Sequence, residues 1–262
     1  MEKNKLEENK NNQQYKVKTI DYNCDAAQSY GVYQNEEEYN LYDYVSSLSI
    51  SCGFHSGDPM KIQKALSLAK EKNLCVGAHV GYSDIQGFGN RDMNLSKDEL
   101  EACVLYQIGA LKSFARIYNK EIEFVRFHGA MYNKFNRDKE FALNLAQACK
   151  KADPWLIIYG GNREHLNYIS EELKVRCAFE LNIEKVYDEN LALTNENIDV
   201  DKLEHRVKAY LQYEKIHKSN GEFVSLKADT IHFKNLNALK LANSLVKPTP
   251  VNYNKVENSG WV

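Results

Sequence analysis

Long apolar runs are absent from this 262-residue sequence, and no segment approaches the roughly 18–20 apolar residues that a transmembrane helix requires. A charge excess is also absent, because 34 Lys and Arg residues face 36 Asp and Glu residues, for a formal net charge of −2. Proteins that neutralise nucleic-acid phosphates carry a positive excess. With 43% hydrophobic residues the chain can still bury a sizeable core. The composition predicts a soluble globular protein that binds neither membranes nor nucleic acid.

Closely spaced cysteine pairs and nucleotide-binding loops are absent as well. The spacing of the six cysteines predicts reduced thiols in a cytoplasmic protein rather than a disulfide-linked secreted fold. Residues 1–16 are charged and contain no apolar segment of the kind found in secretory signals, so we expect a disordered or frayed extension there. Neither GxxxxGK[ST] nor a GxGxxG after a strand occurs, which argues against nucleotide binding by this chain alone.

Seven short apolar or β-branched runs of strand length recur along the chain, each followed by a helix-like segment. Asp58 before Pro59 predicts one helix start, and Ser96 with Glu99 forms the capping box of another. The seven runs are Lys18–Cys24, Leu48–Phe54, Leu74–His79, Phe124–His128, Trp155–Tyr159, Val175–Glu180 and Ser225–Ile231.

The alternation of strands and helices predicts a parallel sheet. Seven strand–helix units within about 230 residues, with no evident linker, favour an incomplete (β/α)₇ TIM-like barrel as a single α/β domain over residues 17–246. A doubly wound open sheet is the alternative. Residues 247–262 contain two of the four prolines and are expected to form a C-terminal tail.

Polar residues recur at the ends of the predicted strands, where active sites of parallel α/β folds lie. A histidine in such a place is commonly structural, but several at successive strand ends predict one shared site. Histidine and carboxylate side chains could serve as general acids and bases or hold a divalent metal. No HExxH spacing is present, so a metal stays open. The candidates are Asp25, His55, His79, His128, Glu180 and Asp229.

Two further residues have competing interpretations. Arg91 could clamp an anionic substrate, because its guanidinium matches carboxylate or phosphate geometry, or it could be a solvated loop residue. Gln107 lies in the middle of a predicted helix and could either enter the site or only satisfy a packing contact.

The sequence resembles the LamB/YcsF family, the A subunits of 5-oxoprolinase, over roughly residues 18–245. The two most specific motifs are CGFHSGDP followed by GAHVGYSD. The matching stretches, in the family's order, are Asn23–Asp25, Cys52–Pro59, Gly77–Asp84, Gly87–Arg91, Tyr106–Leu111, Val125–Asn133 and Lys227–Ile231.

The resemblance implies a barrel of the glycoside hydrolase/deacetylase type and ATP-dependent opening of 5-oxoproline to glutamate. It implies partner subunits B and C, which would use ATP to activate the lactam, while this chain completes the hydrolysis. Under this interpretation Asp25, His55, His79, His128 and Asp229 orient substrate and water and move protons. The residues expected to bind the small-molecule substrate are Asn23, Arg91, Gln107, Arg126 and Glu180.

The chain departs from the family pattern at several candidate positions. The first motif carries Gln28 where the family has glutamate, and Arg126 stands in place of a lysine. Glu184 and Lys185 replace an Asp-Arg pair. Where the family reads Cys-Val-His-Gly-Asp, this chain has residues 232–236, HFKNL, so a histidine and an aspartate are missing. Because strand residues alternate, His232 falls on the same face as Lys234 and could partly substitute.

Three functions therefore stay open from the sequence. The first is a divergent A-type member of the 5-oxoprolinase complex, and the second is a pseudoenzyme or regulatory subunit that keeps the pocket. The third is a related amide hydrolase or deacetylase that depends on a metal. The sequence does not fix the metal or the general base, and it leaves open whether the chain forms homo-oligomers.

Overall fold

The computed structural model describes residues 16–17 and 19–251, so most of the predicted N-terminal extension and the end of the predicted tail lie outside the described residues. Seven strands form a closed, all-parallel barrel. These barrel strands are β1 (Asp21–Ala26), β2 (Ser47–Ser51), β3 (Cys75–Val80), β4 (Ile122–Phe127), β5 (Ile157–Gly160), β6 (Arg176–Asn182) and β11 (Thr230–His232). Around the barrel they follow the order β1-β11-β6-β5-β4-β3-β2.

All seven predicted runs overlap a barrel strand, so the (β/α)₇ prediction is confirmed and the open-sheet alternative is wrong. Seven helices accompany the strands within the described residues. They are α1 (Pro59–Glu71), α2 (Lys97–Ile117), α3 (Gly129–Arg137), α4 (Lys139–Ala152), α5 (Arg163–Leu173), α6 (Val200–Tyr213) and α7 (Leu236–Leu245).

Both helix starts that the sequence predicts are formed. The Asp58 side chain accepts hydrogen bonds from the backbone N–H groups of Met60 and Lys61 at the start of α1. Ser96 and Glu99 cap α2 reciprocally, each side chain bonding the other's backbone N–H. Such caps satisfy N–H groups that the first helical turn leaves unpaired.

Two small hairpins and a short 3₁₀ helix lie outside the barrel. One hairpin pairs β7 (Lys185–Tyr187) with β8 (Leu193–Asn197), and the other pairs β9 (Lys215–His217) with β10 (Phe223–Ser225). The 3₁₀ helix covers Glu36–Asn40 between β1 and β2. The first hairpin and the 3₁₀ helix supply walls of the cavities described below.

Alternation along the strands separates an apolar layer from a polar barrel interior. On β1 the apolar Tyr22, Cys24 and Ala26 join the main core, while the alternate residues contact other side chains inside the barrel. Because successive strand side chains point to opposite faces, one strand serves both layers. The interior residues of β1 are Asp21, Asn23 and Asp25.

The amino end of the barrel is filled by a small apolar cluster. Phe124 and Tyr159 stack there with ring centroids 4.2 Å apart. Val251, near the start of the predicted C-terminal tail, packs against this cluster, and the Thr249 backbone N–H donates to the Ile20 carbonyl. The described part of the tail therefore lies against the barrel end that is opposite to the polar strand ends.

Candidate active site

The polar side chains at the carboxyl ends of the strands converge inside the barrel mouth. Strand register explains the convergence, because His79 of β3 pairs with Arg126 of β4, and Asn23 of β1 pairs with His232 of β11. His128 follows β4 directly, and its backbone N–H donates to the Val80 carbonyl of the neighbouring strand. Residues far apart in sequence thus reach one another across a few strands.

Asp25 is the centre of this arrangement, and cationic groups and donors surround its carboxylate. Oδ1 accepts a hydrogen bond from Arg126 Nη1 at 2.9 Å. Oδ2 accepts one from the Gln28 amide at 2.9 Å and lies 3.4 Å from the Lys234 ammonium. His232 Nε2 lies 3.7 Å from Oδ1. Every partner is therefore a donor, a cation or an imidazole.

Burial alone would raise the pKa of Asp25, since desolvation disfavours a carboxylate. Favourable interactions with His79, His232 and Arg126, in that order, outweigh burial and hold the pKa well below its usual range. Asp25 is consequently an anion throughout the neutral range. It can orient donors and stabilise developing positive charge.

Arg126 bridges Asp25 to a second buried carboxylate, Glu180. The guanidinium Nε donates to Glu180 Oε2 at 2.7 Å, and the Tyr132 hydroxyl donates to Oε1 at 2.8 Å. Burial raises the pKa of Glu180, but the charge of Arg126, together with His232 and the hydrogen bonds from Arg126 and Tyr132, more than offsets it, so the pKa lies below the usual value. Arg126 is thus held rigidly between two anions.

His55, His79 and His128 form a buried group that we call the histidine cluster. The rings of His55 and His128 stack at 3.9 Å between centroids, and His128 Nδ1 lies 3.3 Å from His79 Nε2. His128 Nε2 donates to the Phe88 carbonyl at 2.7 Å, which leaves Nδ1 without a proton in the neutral ring. Arg126 donates to His79 Nε2 at 3.0 Å, so this nitrogen is unprotonated too.

Burial lowers the pKa of every histidine at the site. The pKa falls well below the usual value for His55 and His79, to about 4 for His128 and to about 3 for His232. Desolvation is the largest cause in each case, and it penalises the charged imidazolium. These side chains are therefore neutral near pH 7 and able to accept a proton.

Two glycines make the close packing of the cluster possible. A Cβ atom at Gly81 would lie 2.5 Å from His55 Nδ1. Gly129, directly after His128, has φ +53°, and a Cβ there would meet the Gly89 carbonyl at 2.4 Å. Side chains at either position would displace an imidazole or its supporting loop.

The histidine cluster brings ring nitrogens within 4.8 Å of one another, which raises the question of a metal. A zinc ion lies about 2.1 Å from a histidine nitrogen, near the plane of the ring. The His55 and His128 rings are parallel to within 3° and stacked, so no point lies in both planes. Arg126 also occupies the lone pair of His79 Nε2. In this arrangement the three residues do not fit a shared metal ion.

Two cavities open onto Asp25. The small cavity, of about 210 Å³, is lined by Arg126, His128, Tyr132 and residues of the β7–β8 hairpin. The large cavity, of about 660 Å³, lies towards the 3₁₀ helix and the start of α7. Asp25 and Lys234 line both. The small cavity has the size of a pocket for a compact metabolite.

The structure brings together most of the catalytic residues predicted from the sequence. Asp25 and His128 line a cavity, and His55 and His79 lie directly behind them. Arg126 lines the small cavity as well. The predicted grouping of these residues at the strand ends agrees with the geometry.

Asp229 requires a correction, because it lies at the amino end of β11. Its carboxylate accepts the Phe179 backbone N–H at 2.7 Å. Thr230 of β11 pairs with Asp21 of β1, so Asp229 is level with the residue before Asp21. Asp25 therefore lies about five residues, or roughly 16 Å, further along the strand direction. Asp229 cannot act as an acid or base in the cavities at the opposite end.

Four predicted substrate-binding residues have structural partners instead. The Gln107 amide bonds both the N–H and the carbonyl of Gly81, and Arg91 pairs with Asp84 outside the cavities. The remaining two are buried beneath the cavity floor and organise it. Asn23 and Glu180 hydrogen bond each other, Asn23 also bonds Thr230 and His232, and Glu180 also bonds Arg126 and Tyr132.

Sequence reasoning missed Tyr132 and the direct contacts of Gln28 and Lys234 with Asp25. Tyr132 comes four residues after His128, so helical spacing after the strand could have placed it on the same side of α3. Lys234 comes two residues after His232, which strand alternation does indicate. No local signal shows that the Gln28 amide turns back to Asp25.

Comparison with known proteins shows the family of the chain. The sequence profile of the LamB/YcsF family matches residues 20–257. The chain belongs to the LamB/YcsF family. Among curated members, a Bacillus cereus protein, named as the A subunit of 5-oxoprolinase, is 34% identical over 88% of this chain and 95% of its own length. The Campylobacter jejuni protein of the same name is 33% identical over 86% of this chain and 92% of its own length.

A solved structure supports the fold as well. The crystal structure of the lactam utilization protein from Thermus thermophilus matches with a TM-score of 0.79 and 33% sequence identity. The match covers 87% of this chain and 94% of that one.

Among the described residues, no helix is both long and apolar enough to cross a membrane.

Proposed function

We propose that this LamB/YcsF chain is the A subunit of an ATP-dependent 5-oxoprolinase, which hydrolyses the cyclic amide of 5-oxo-L-proline to give L-glutamate. The observation that carries the proposal is the pairing of Asp25, Arg126 and neutral His128 at a small cavity. Relatives named as 5-oxoprolinase A subunits match this chain over most of their length. The size and polarity of the cavity suit a small acid with an amide ring.

The residues at the cavity can perform both halves of an amide hydrolysis. Neutral His128, with Nδ1 free of a proton, accepts a proton from the attacking water as a general base, and the protonated imidazole then donates it to the ring nitrogen as the C–N bond breaks. The guanidinium of Arg126, which lines the small cavity, stabilises the negative charge that develops on the carbonyl oxygen. Asp25 holds Arg126 in place and stays ionised while it acts.

We further propose that partner subunits B and C use ATP to activate the lactam before this chain completes the hydrolysis. A cyclic amide resists attack by water, and the sequence has no phosphate-binding loop of its own. The described cysteines are all unpaired, which suits a cytoplasmic protein with access to ATP.

Replacement of a family glutamate by Gln28 does not empty the site. Its amide donates to the Asp25 carboxylate at 2.9 Å, whereas a second ionised carboxylate there would repel Asp25. The substitution therefore supports an assembled site rather than a degraded one. This contact weighs against the pseudoenzyme alternative.

The decisive test is glutamate release from 5-oxoproline and ATP, measured for this chain alone and for its mixture with subunits B and C. We expect release only from the mixture. A control mixture contains the same partners with a family member that keeps the usual motifs in place of this chain. Release in the control but none with this chain would overturn the proposed function and favour a pseudoenzyme or another substrate.

A further inference from the structure

Among the described residues, Lys234 is the one cationic side chain that lines both cavities. Its ammonium lies 3.4 Å from Asp25 Oδ2, and its side chain is 59% exposed. Among the described residues, it joins Asp25 in lining both the small and the large cavity. The ammonium therefore faces any ligand that reaches Asp25 from either side.

The loop that carries Lys234 is fixed by a neighbouring departure from the family pattern. Glu184 Oε1 accepts the backbone N–H of Lys234 at 2.6 Å and that of Asn235 at 2.7 Å. Asn235 in turn caps α7 through the Ala238 N–H. The changes at Glu184 and Lys234 are thus physically coupled, and the backbone that supports the ammonium is well anchored.

The two cavities have opposite charge. The small cavity is lined by Arg126, Lys185 and Lys234 against one carboxylate, whereas the carboxyl groups of the large cavity outnumber its single cation. Burial and the charge of Lys234 both lower the pKa of Lys185, so the Lys185 ammonium lies in the field of a second cation. An anion entering the small cavity would relieve this repulsion.

Lys234 can turn to a ligand more readily than Arg126 can. Arg126 is held by Asp25 and Glu180 at 2.9 and 2.7 Å, and its side chain is only 6% exposed. The 3.4 Å separation of Lys234 from Asp25 is longer than the roughly 2.7–2.9 Å of a strong charge-assisted hydrogen bond. The lysine stem is flexible, and its ammonium can contact a second acceptor without leaving Asp25.

We propose that Lys234 determines substrate specificity by binding the carboxylate of the substrate in the small cavity, with the lactam ring beside Asp25 and His128. This inference rests on the proposed function, because 5-oxoproline carries one carboxylate next to its ring. The resemblance places a histidine at this position in the family, so the role belongs to this chain's own residue.

The test compares 5-oxo-L-proline with its neutral carboxamide, by calorimetric titration of this chain without partners. We expect the protein to bind the acid at least about 10-fold more tightly than the amide, in line with a hydrogen bond between charged groups. Lys234→Met should weaken binding of the acid about 10- to 100-fold and leave the amide nearly unchanged. Lys234→Arg should retain part of the preference.

Lys208→Met, on the exposed surface of α6, is the matched control and should bind both ligands as the parent does. Thermal unfolding of each variant separates lost recognition from lost structure. Equal weakening of acid and amide by Lys234→Met, or a parent protein that does not prefer the acid, would overturn the inference.

The glutamate-release assay separates this inference from the proposed function. Glutamate formation by the complete mixture, combined with no acid preference, would reject the role of Lys234 and leave the function standing. An acid preference that depends on Lys234, combined with no glutamate formation, would support carboxylate recognition and reject the 5-oxoprolinase reaction.

Discussion

Asp21 and Asp25 lie four residues apart on the same face of β1, and both are almost completely buried, yet their surroundings differ. Asp21 accepts hydrogen bonds from the hydroxyl groups of Ser46, Ser47 and Thr230. Burial outweighs these bonds and raises the pKa of Asp21. Asp25 has charged partners, and its pKa is held well below the usual range.

Burial therefore does not decide the charge of a carboxyl group in this barrel. Neutral hydroxyl groups only partly replace water around Asp21, whereas the imidazoles and cations around Asp25 more than offset the lost hydration. Asp21 belongs to a structural polar layer inside the barrel. The carboxyl end carries fixed charges and opens onto cavities.

Exchange of each aspartate for asparagine tests the contrast most strongly. Asp25→Asn should lower glutamate release by the reconstituted mixture by about 10²- to 10⁴-fold, because the anion that positions the cations and the water is lost. Asp21→Asn keeps the shape without touching a cavity and should retain most of the activity. Activity is compared at equal folded fraction, measured by circular dichroism. A larger loss from Asp21→Asn would break the comparison.

Removal of the shared counter-ion should destabilise the carboxyl end. Arg126→Met leaves Asp25 and Glu180 buried without their cation, and we expect a loss of about 3–5 kcal/mol in the free energy of unfolding. Arg116→Met on the exposed side of α2 should change it by less than about 0.5 kcal/mol. Urea denaturation measures both.

A double variant sharpens the Arg126 result. Adding Glu180→Gln to Arg126→Met removes one of the two unpaired charges and should restore part of the lost stability. If the double variant is less stable than Arg126→Met alone, unpaired charge is not the cause of the loss.

Acid should destabilise the protein through the histidine cluster and His232. Their pKa values are lowered in the folded protein, so below about pH 6.5 the unfolded chain binds more protons than the folded protein does. The free energy of unfolding therefore decreases as the pH is lowered. Each histidine contributes up to about 1.4 kcal/mol per pH unit. Asp21 and Glu38 oppose this trend with fewer groups, because burial raises the pKa of both carboxyl groups and brings that of Glu38 to about 7.

The measurement is the free energy of unfolding by urea at pH 7.0 and at lower pH, for the parent and for His128→Gln. The variant should show a shallower pH dependence, by up to about 1.4 kcal/mol per pH unit, until His128 itself titrates at about pH 4. Identical slopes for parent and variant would mean that folding does not lower the pKa of His128.

The smallest expected effect concerns Asp21. Because folding raises the pKa of Asp21, this carboxyl group ionises in the unfolded chain before it ionises in the folded protein as the pH rises above about 4. The folded parent therefore loses stability over this range. Asp21→Asn cannot ionise and should gain stability relative to the parent over this range, with no difference below pH 4. Parallel unfolding curves across the whole range would show that Asp21 titrates like an exposed carboxyl.

Much of the site could be predicted because strand ends are local features. A polar residue directly after an apolar run, as at His55, His79 and His128, occupies the barrel mouth whatever the details of packing. For Asp229 the prediction is wrong, because the run 225–231 predicts one strand with Asp229 near its end. In the structure β11 begins only at Thr230, so Asp229 precedes it.

The misassigned partners depend on contacts that sequence spacing does not show. Gln107 is buried because Gly81, 26 residues earlier, needs partners for both backbone groups. Arg91 finds Asp84 within its own loop. Each is a polar side chain whose role depends on which groups surround it, and residue type alone does not distinguish them.

Hydrophobic alternation, capping residues and long motifs are properties of the linear chain, so the seven strands and the family can be read from the sequence, and the barrel is the favoured arrangement. The charge of Asp25, the neutral state of the histidines and the position of Lys234 between two cavities emerge only in the folded chain. Those properties depend on desolvation and on charges brought close by strands distant in sequence.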